Sequence, residues 1–195
     1  MRVERNDQNV SDFIWNAQNQ VSEQKRTTNK QTNWLPSVNA VYSLTEKLNL
    51  RVAWYKTLAR PDFRELSSFS YWDYDLFASV KGTPLQSTSV ENADLRFEFY
   101  PTPGEVISIS GFYKKFKNPI DMMIDPTSGG NAYRYANLES AMDRGLEIDF
   151  RKSFNFISNA TPFWSNLFLS GNFTWLDAKV SFYPDQAVDK DGNHV

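Results

Sequence analysis

The segment Asn92-Ala93-Asp94-Leu95-Arg96-Phe97-Glu98-Phe99 alternates strictly between polar and apolar side chains. Successive residues of a β-strand point to opposite faces of the sheet, so one face of this segment is charged and the other is apolar. A helix would instead repeat its apolar residues every three to four positions. The period of two therefore predicts a strand with one wet face and one apolar face.

The same period of two recurs on both sides of this segment. It is clear in residues 48–57, 146–151 and 167–175, and it predicts about seven strands. The predicted strands span residues 1–10, 31–44, 48–60, 89–100, 105–118, 133–152 and 165–182. Several exceed the ~9–11 residues that a tilted strand needs to cross a bilayer, whereas globular strands most often have ~5–6 residues. Strand length thus favours a barrel over a small sandwich.

The connections between the predicted strands alternate between long and short. Short turns lie at 45–47 and 101–104, long polar connections at 11–30, 60–88 and 119–131, and an intermediate link at 153–165. Outer-membrane barrels have short periplasmic turns and long extracellular loops, whereas a soluble sandwich has no reason to sort its loops by end. The sequence therefore predicts an all-β fold, an antiparallel meander forming part of a transmembrane β-barrel.

Composition excludes several other classes of protein. The net charge is −2, which gives no electrostatic reason to expect a nucleic-acid partner. The chain has no cysteine, so a disulfide scaffold, a thiolate zinc site and a thiol nucleophile are all excluded. Mean hydropathy is −0.55, which is compatible with barrel strands because they alternate lipid-facing and polar residues. No cofactor, metal site or enzyme activity is predicted.

Several sequence strings resemble the barrel of TonB-dependent receptors, closest to those of the Bacteroidetes type. They are Trp34-Leu35-Pro36-Ser37-Val38-Asn39, Leu44-Thr45-Glu46-Lys47-Leu48-Asn49-Leu50-Arg51, residues 57–66, 92–100, 103–105 and 112–120, Gly145-Leu146-Glu147-Ile148-Asp149-Phe150 and Leu169-Ser170-Gly171-Asn172. The resemblance implies a barrel of ~22 strands with a plugged lumen. It also implies uptake of a scarce ligand across the Gram-negative outer membrane, with energy supplied by TonB.

Residues 1–195 are accordingly expected to be an internal part of such a barrel, since ~7 strands cannot close one of ~22. The plug domain, the remaining strands and the targeting sequence would lie elsewhere in the parent protein. The expected partners are outer-membrane lipid, the TonB complex through the N-terminal region of the parent, and a small extracellular ligand. The ligand stays open between a siderophore, cobalamin, a glycan and a peptide.

Seven charged residues on the polar strand faces are predicted to face the lumen. They are Arg51, Asp94, Arg96, Glu98, Glu147, Asp149 and Arg151. Cross-strand ion pairing or contact with a plug domain is the expected role. Glu147 and Asp149 share a face, as the carboxylate pair of a glycosidase must, but strand alternation alone produces such pairs.

The long connection at 60–88 contains the aromatic run from Phe69 to Phe77. Tyr71, Trp72 and Tyr74 are the candidates for ligand contact, by stacking on a sugar or a planar siderophore. The alternative is packing against neighbouring loops or the outer lipid interface. Residues 114–117 include three lysines that could meet lipopolysaccharide phosphates, and a solvated strand end is the alternative.

Near the C-terminus, Asp189-Lys190-Asp191-Gly192-Asn193 starts like a calcium loop but lacks the distal glutamate, so a turn is expected there. The single histidine, His194, cannot by itself form a multi-histidine metal site. Two other functions remain open: a structural or adhesive outer-membrane barrel, and a soluble β-sandwich that binds carbohydrate.

Overall fold

A computed structural model describes residues 2–16, 21–125, 132–157 and 162–183. The described residues form twelve strands and two short helices: β1 (Arg2–Asn16), β2 (Val21–Leu35), β3 (Ser37–Thr45), β4 (Leu48–Ala59), α1 (Phe63–Leu66), β5 (Ser70–Asp73), β6 (Ala78–Lys81), β7 (Thr88–Phe99), β8 (Val106–Lys117), β9 (Ile120–Ile124), β10 (Ala132–Asn137), β11 (Ser140–Ser153), α2 (Pro162–Asn166) and β12 (Phe168–Ser181). Neither helix has the length and apolar character that a membrane span requires.

Six long strands form one antiparallel sheet, here called the wall. Its strand order is β12-β11-β8-β7-β4-β3, so each strand pairs with its neighbours along the series. Five of the six strands have 12 or 14 residues: β4, β7 and β8 have 12, and β11 and β12 have 14. The predicted meander is therefore confirmed for the wall, and its strands are long enough to cross a bilayer at a tilt.

One face of the wall is apolar and is not covered by a second layer. The register aligns Leu50, Phe97, Ile109, Ile148 and Phe173 in one row across five strands. These side chains are exposed or half-buried, with Phe97 at 44% and Ile109 at 52%. A soluble sandwich would bury this apolar face against a second sheet. The opposite face, here called the polar face, carries the charged residues that the alternation predicted.

The first two strands form a long polar hairpin in place of the predicted connection at 11–30. Strands β1 and β2 pair along their whole length, from Arg2 opposite Leu35 to Asn16 opposite Val21. Polar contacts across the pair include Lys30 with Asp7 at 3.3 Å. A polar sequence can form strands when its backbone groups are paired in this way, and composition alone did not reveal that pairing. Pro36 separates β2 from β3, since it cannot donate a ladder hydrogen bond.

Two long connections fold together into a second sheet, here called the loop sheet. Its order is β5-β6-β10-β9, in which β5 and β6 come from one connection and β9 and β10 from the other. The pairing of β6 with β10 is parallel. The predicted strand at 133–152 is thus two strands, because β10 belongs to the loop sheet and β11 to the wall. Leu66, Val80 and Leu138 are buried in this region, with at most 2% exposure.

Helix α1 is fixed at both of its ends. Asp62 caps its N-terminus, and the side chain of Glu65 accepts a hydrogen bond from the Asp62 backbone at 2.8 Å, which completes a capping box. After the helix, the Glu65 carbonyl accepts from the Thr83 amide at 2.8 Å. The chain therefore returns from β6 directly onto the C-terminal end of α1.

At the opposite end of the wall, the turn between β7 and β8 is held in place by one buried carboxylate. Glu105, in the turn between β7 and β8, is 2% exposed. Its carboxylate accepts from Lys152 Nζ at 2.9 Å and from the Ser153 backbone amide at 3.1 Å. The hydrogen bond from Lys152 lowers the pKa of Glu105 below its ordinary value, against the opposing effect of burial. Glu105 thus ties the β7–β8 turn to the end of β11.

This contact predicts a pH-dependent contribution to stability. Because the pKa of Glu105 is lower in the folded chain, its stabilisation is present above the unfolded value near 4.5 and is lost as pH falls through the folded value. We expect Glu105→Gln to lower the free energy of unfolding at neutral pH. The difference in this free energy between the parent and the variant should become smaller as the pH falls from about 6 to about 3. Denaturant titrations over this range measure it, with Glu46→Gln in the exposed neighbouring turn as the control. A difference that does not change with pH would contradict the assignment.

Candidate functional site

An ion-pair network crosses the polar face of the wall. Arg51 Nε lies 2.7 Å from a carboxylate oxygen of Glu98. Arg96 contacts the second oxygen of Glu98 at 3.2 Å and reaches Asp149 at 3.2 Å. The network therefore links β4, β7 and β11 through four of the seven residues that were predicted from the sequence.

Neutral side chains complete the coordination of the two carboxylates. Tyr100 donates its hydroxyl hydrogen to Glu98 at 3.1 Å, and Ser108 donates to Asp149 at 3.3 Å. The Asn172 amide of β12 also donates to Asp149. Glu98 is only 7% exposed, so its charge depends on these partners. Tyr100 and Asn172 were not singled out from the sequence, because their role depends on strand register.

The other three predicted residues lie on the same face but outside the network. Asp94 and Glu147 line a shallow groove of about 290 Å³ together with Lys114. The guanidinium of Arg151 lies over the ring of Phe168, 4.4 Å from its centroid. All seven residues thus share one face. The use of Glu147 and Asp149 as an acid–base pair is not favoured, since Asp149 is already held by Arg96, Ser108 and Asn172.

The three aromatic candidates differ in how far their side chains are exposed. Tyr71 is half-buried, and its hydroxyl lies 3.4 Å from that of Tyr135 in β10. The Arg64 guanidinium is 5.1 Å from the centre of the Tyr71 ring. Trp72 and Tyr74 are exposed, at 53% and 78%. Trp72 and Tyr74 therefore present free aromatic surface, whereas Tyr71 is held by its neighbours.

The hydroxyl of Tyr135 stays a neutral donor and acceptor in the physiological range. The hydrogen bond to Tyr71, together with burial, raises the pKa of Tyr135 to about 12. The pair joins β5 to β10, which come from different long connections. Arg64 and Tyr135 were missed as site residues in the sequence, because their proximity to Tyr71 arises from a pairing between distant segments. In the described part of the chain, no group of histidine and acidic residues could hold a metal ion.

Comparison with known proteins identifies the family. The family model described as "TonB dependent receptor-like, beta-barrel" matches residues 1–195. The chain belongs to the TonB-dependent receptor β-barrel family. The resemblance and the fold class that were predicted from the sequence are therefore confirmed, and the family is one of outer-membrane receptors and not of enzymes.

Individual relatives of this TonB-dependent receptor chain include siderophore receptors. The ferric enterobactin receptor of Pseudomonas aeruginosa is 28% identical over 138 residues, which cover 59% of this chain and 18% of the relative. The siderophore receptor PirA from Pseudomonas aeruginosa superposes with a TM-score of 0.61 at 20% identity, covering 82% of this chain and 31% of that structure. A ferric enterobactin receptor structure in complex with enterobactin gives 0.56 at 21% identity, covering 80% and 24%. The structural matches show the fold, and this chain spans less than a third of each relative.

The possible calcium loop at 189–193 and His194 lie outside the described residues. The assignment of the seven charged residues to the lumen, and of the three aromatic residues to a ligand, stays a prediction.

Proposed function

We propose that this chain forms part of the barrel of an outer-membrane receptor that imports a scarce ligand with energy from TonB. The observation that carries the proposal is the wall, which exposes apolar side chains on one face and an ion-pair network on the other. In a bilayer, such a sheet persists only as part of a closed barrel, since unpaired edge groups in lipid cost several kcal/mol each. Strands β3 and β12 form the two edges of the wall, and the partners that would close the barrel belong to the rest of the receptor.

The polar face would then line the interior of the barrel. The chain of Arg51, Glu98, Arg96 and Asp149 offers fixed donors and acceptors to a plug domain inside. An ion-paired network is suited to this place, because each charge lies next to an opposite charge beside a surface that has to move. Coupling to TonB would pass through the N-terminal region of the complete receptor.

The ligand proposed for the receptor is a ferric siderophore. The relatives named above are receptors for siderophores, and the exposed rings of Trp72 and Tyr74 offer flat surfaces on which an aromatic siderophore could stack. Tyr71 would act by linking β5 to β10 through its hydroxyl contact with Tyr135. Cobalamin, a glycan or a peptide are the other ligands that the same barrel could serve.

Removal of the two exposed rings tests the ligand assignment. We expect the double variant Trp72→Ala with Tyr74→Ala to weaken binding of a ferric catecholate siderophore about tenfold or more, since buried aromatic anchors contribute ~2 kcal/mol or more at interfaces. Fluorescence titration of the complete receptor in detergent measures the affinity. Phe163→Ala is the matched control, because this ring is 65% exposed on α2 at the other end of the wall.

Uptake of radiolabelled ferric siderophore into cells with and without TonB tests the wider proposal. If the chain is part of a TonB-dependent receptor, uptake of the ferric siderophore disappears when TonB is absent. A structural or adhesive barrel would sit in the outer membrane and give no TonB-dependent uptake of any of the four ligand classes. Equal affinity of the double variant and the parent would remove Trp72 and Tyr74 from the ligand site.

A further inference from the structure

We propose that the tyrosine pair of the loop sheet, Tyr71 and Tyr135, binds the iron(III) of the cargo through two phenolate oxygens, while Arg64 binds a carboxylate of the chelator that delivers the ion. This inference rests on the proposed function in one respect, namely that the imported ligand carries iron(III). The observations behind it are the close approach of the two hydroxyl groups and the free cation beside them.

The two hydroxyl oxygens of the pair lie close enough to share one metal ion. They are 3.4 Å apart. Neighbouring oxygens of an octahedral ion are ~2.8 Å apart when each metal–oxygen distance is ~2.0 Å, so a shift of ~0.6 Å brings the pair to that spacing. Tyrosine oxygen is a known ligand of iron in proteins. Both tyrosines are half-buried, so the pair is open to an arriving ion while the surrounding sheet holds the rings.

The loop sheet brings the two tyrosines together over its strand β6. Strands β5 and β10 border β6 on its two sides. Tyr71 on β5 lies opposite Val80 of β6, and Tyr135 on β10 lies one position beyond the pair of Arg134 with Lys81. The two oxygen donors therefore come from two connections that are distant in sequence, and a bound ion would join them.

Helix α1 supplies the charged residues beside the pair. The Arg64 guanidinium is 5.1 Å from the centre of the Tyr71 ring, and the negative charge of Glu65 acts on Tyr135. The helix is held there because Gly82, which follows β6, lies against the carbonyl oxygens of Arg64 and Glu65.

The Arg64 side chain is available to an anion. It is exposed and forms no ion pair with any described residue. A guanidinium group binds both oxygens of a carboxylate in one plane. A chelator that carries carboxylates could thus stay attached to the ion and be held by Arg64 at the same time.

Binding exchanges protons and water for the metal ion and leaves its oxidation state unchanged. Two phenol O–H bonds break and release their protons to the solvent, two water molecules leave the iron(III), and two iron–oxygen bonds form. The trivalent ion drives this deprotonation because it is the largest local charge at the site. The cargo that fits is a ferric chelate with two neighbouring positions that can exchange, and not one whose chelator closes the whole coordination sphere.

Ferric nitrilotriacetate is the probe for this site, because the chelator is tetradentate and leaves two neighbouring positions to water. Unlike a ferric catecholate, it has no strong visible band of its own. The complete receptor in detergent is titrated with this probe, and the visible charge-transfer absorption of an iron(III)–phenolate bond is measured. Tyr71→Phe and Tyr135→Phe each remove one oxygen and keep the ring, and Tyr133→Phe on the same strand is their control. Arg64→Gln removes the cation, and Lys81→Gln on β6 is its control.

We expect the parent to develop the charge-transfer band and to saturate at one iron(III) per receptor. Each single tyrosine variant should lower the band at saturation by about half, and the double variant should abolish it, while Tyr133→Phe leaves it unchanged. Arg64→Gln should weaken binding of the probe about tenfold and leave the band at saturation as in the parent, and Lys81→Gln should change neither.

Absence of the band in the parent at saturating probe would overturn the site, whatever the variants show. A band that the double variant keeps, or that Tyr133→Phe lowers equally, would also overturn it. The titration does not require TonB, so the two proposals fail separately. TonB-dependent uptake of a ferric siderophore without the band overturns the iron site alone, whereas loss of TonB dependence overturns the proposed function.

Discussion

Replacement of Phe173 by arginine is expected to destabilise the barrel folded in a bilayer by about 2–4 kcal/mol. Phe173 lies midway along the edge strand β12, at the end of an apolar row, and is 64% exposed, so its side chain would meet hydrocarbon. An arginine there has no carboxylate beside it on that face, because its neighbour across the ladder is Ile148. The cost follows from moving a cation out of water, and it depends little on packing.

Thr174→Arg is the matched control, one residue further along the same strand. Thr174 lies opposite Glu147 on the polar face and is exposed, so an arginine there gains a partner and stays in water. We expect its effect to stay within ~0.5 kcal/mol. Reversible folding of the complete barrel into phosphatidylcholine vesicles, followed by tryptophan fluorescence, gives both values. An equal loss of stability in the two variants would show that the two faces of the wall are in contact with the same solvent.

Gly82→Ala is expected to detach β6 from α1 and to disorganise the loop sheet. A Cβ atom at this position would lie 2.1 Å from the Ser67 carbonyl oxygen and 2.6 Å from those of Arg64 and Glu65. These are backbone atoms, so no side-chain rotation can relieve the contact, and overpacking of this kind costs ~1–3 kcal/mol or more. The bond from the Thr83 amide to Glu65 would be lost with the displacement.

Hydrogen exchange read by mass spectrometry locates the effect. We expect amide protection in residues 78–83 and 132–137 to fall tenfold or more in Gly82→Ala, while protection in the wall strands stays as in the parent. Gly111→Ala is the control, because the same added atom there meets only an ordinary contact at 3.5 Å. Unchanged protection in the loop sheet would mean that α1 and β6 are not packed as described.

The wall could be predicted from the sequence because its determinants are local. Each strand has its own period of two, and each pairs with the next wall strand along the chain, so the order follows once the strands are found. The loop sheet could not be predicted in this way. Its central pair, β6 with β10, joins segments about 50 residues apart, and neither segment contains a signal for the other. The part of the polar hairpin that falls within residues 11–30 was missed, since its strands lack an apolar face.

The seven charged residues lie on one face of the wall, as strand alternation requires, but their ion-pair partners could not be predicted. The register places Arg51 directly opposite Arg96, which by itself would be repulsive. The structure resolves this through the diagonal pairing of Arg51 with Glu98 and the contact of Arg96 with Asp149. Diagonal pairs depend on register and strand twist, and alternation carries no information about either. The face of a residue can thus be derived from sequence, whereas its ion-pair partner requires the sheet.

The backbone hydrogen bonds between β6 and β10 have a mechanical consequence. Two long connections that leave the wall at different strands share a common ladder, and the Tyr71–Tyr135 hydroxyl contact adds a second link. A displacement of one connection must carry the other with it, or break both links first. The two connections therefore move together as one unit. An insertion that lengthens either connection has to preserve the position of the shared ladder.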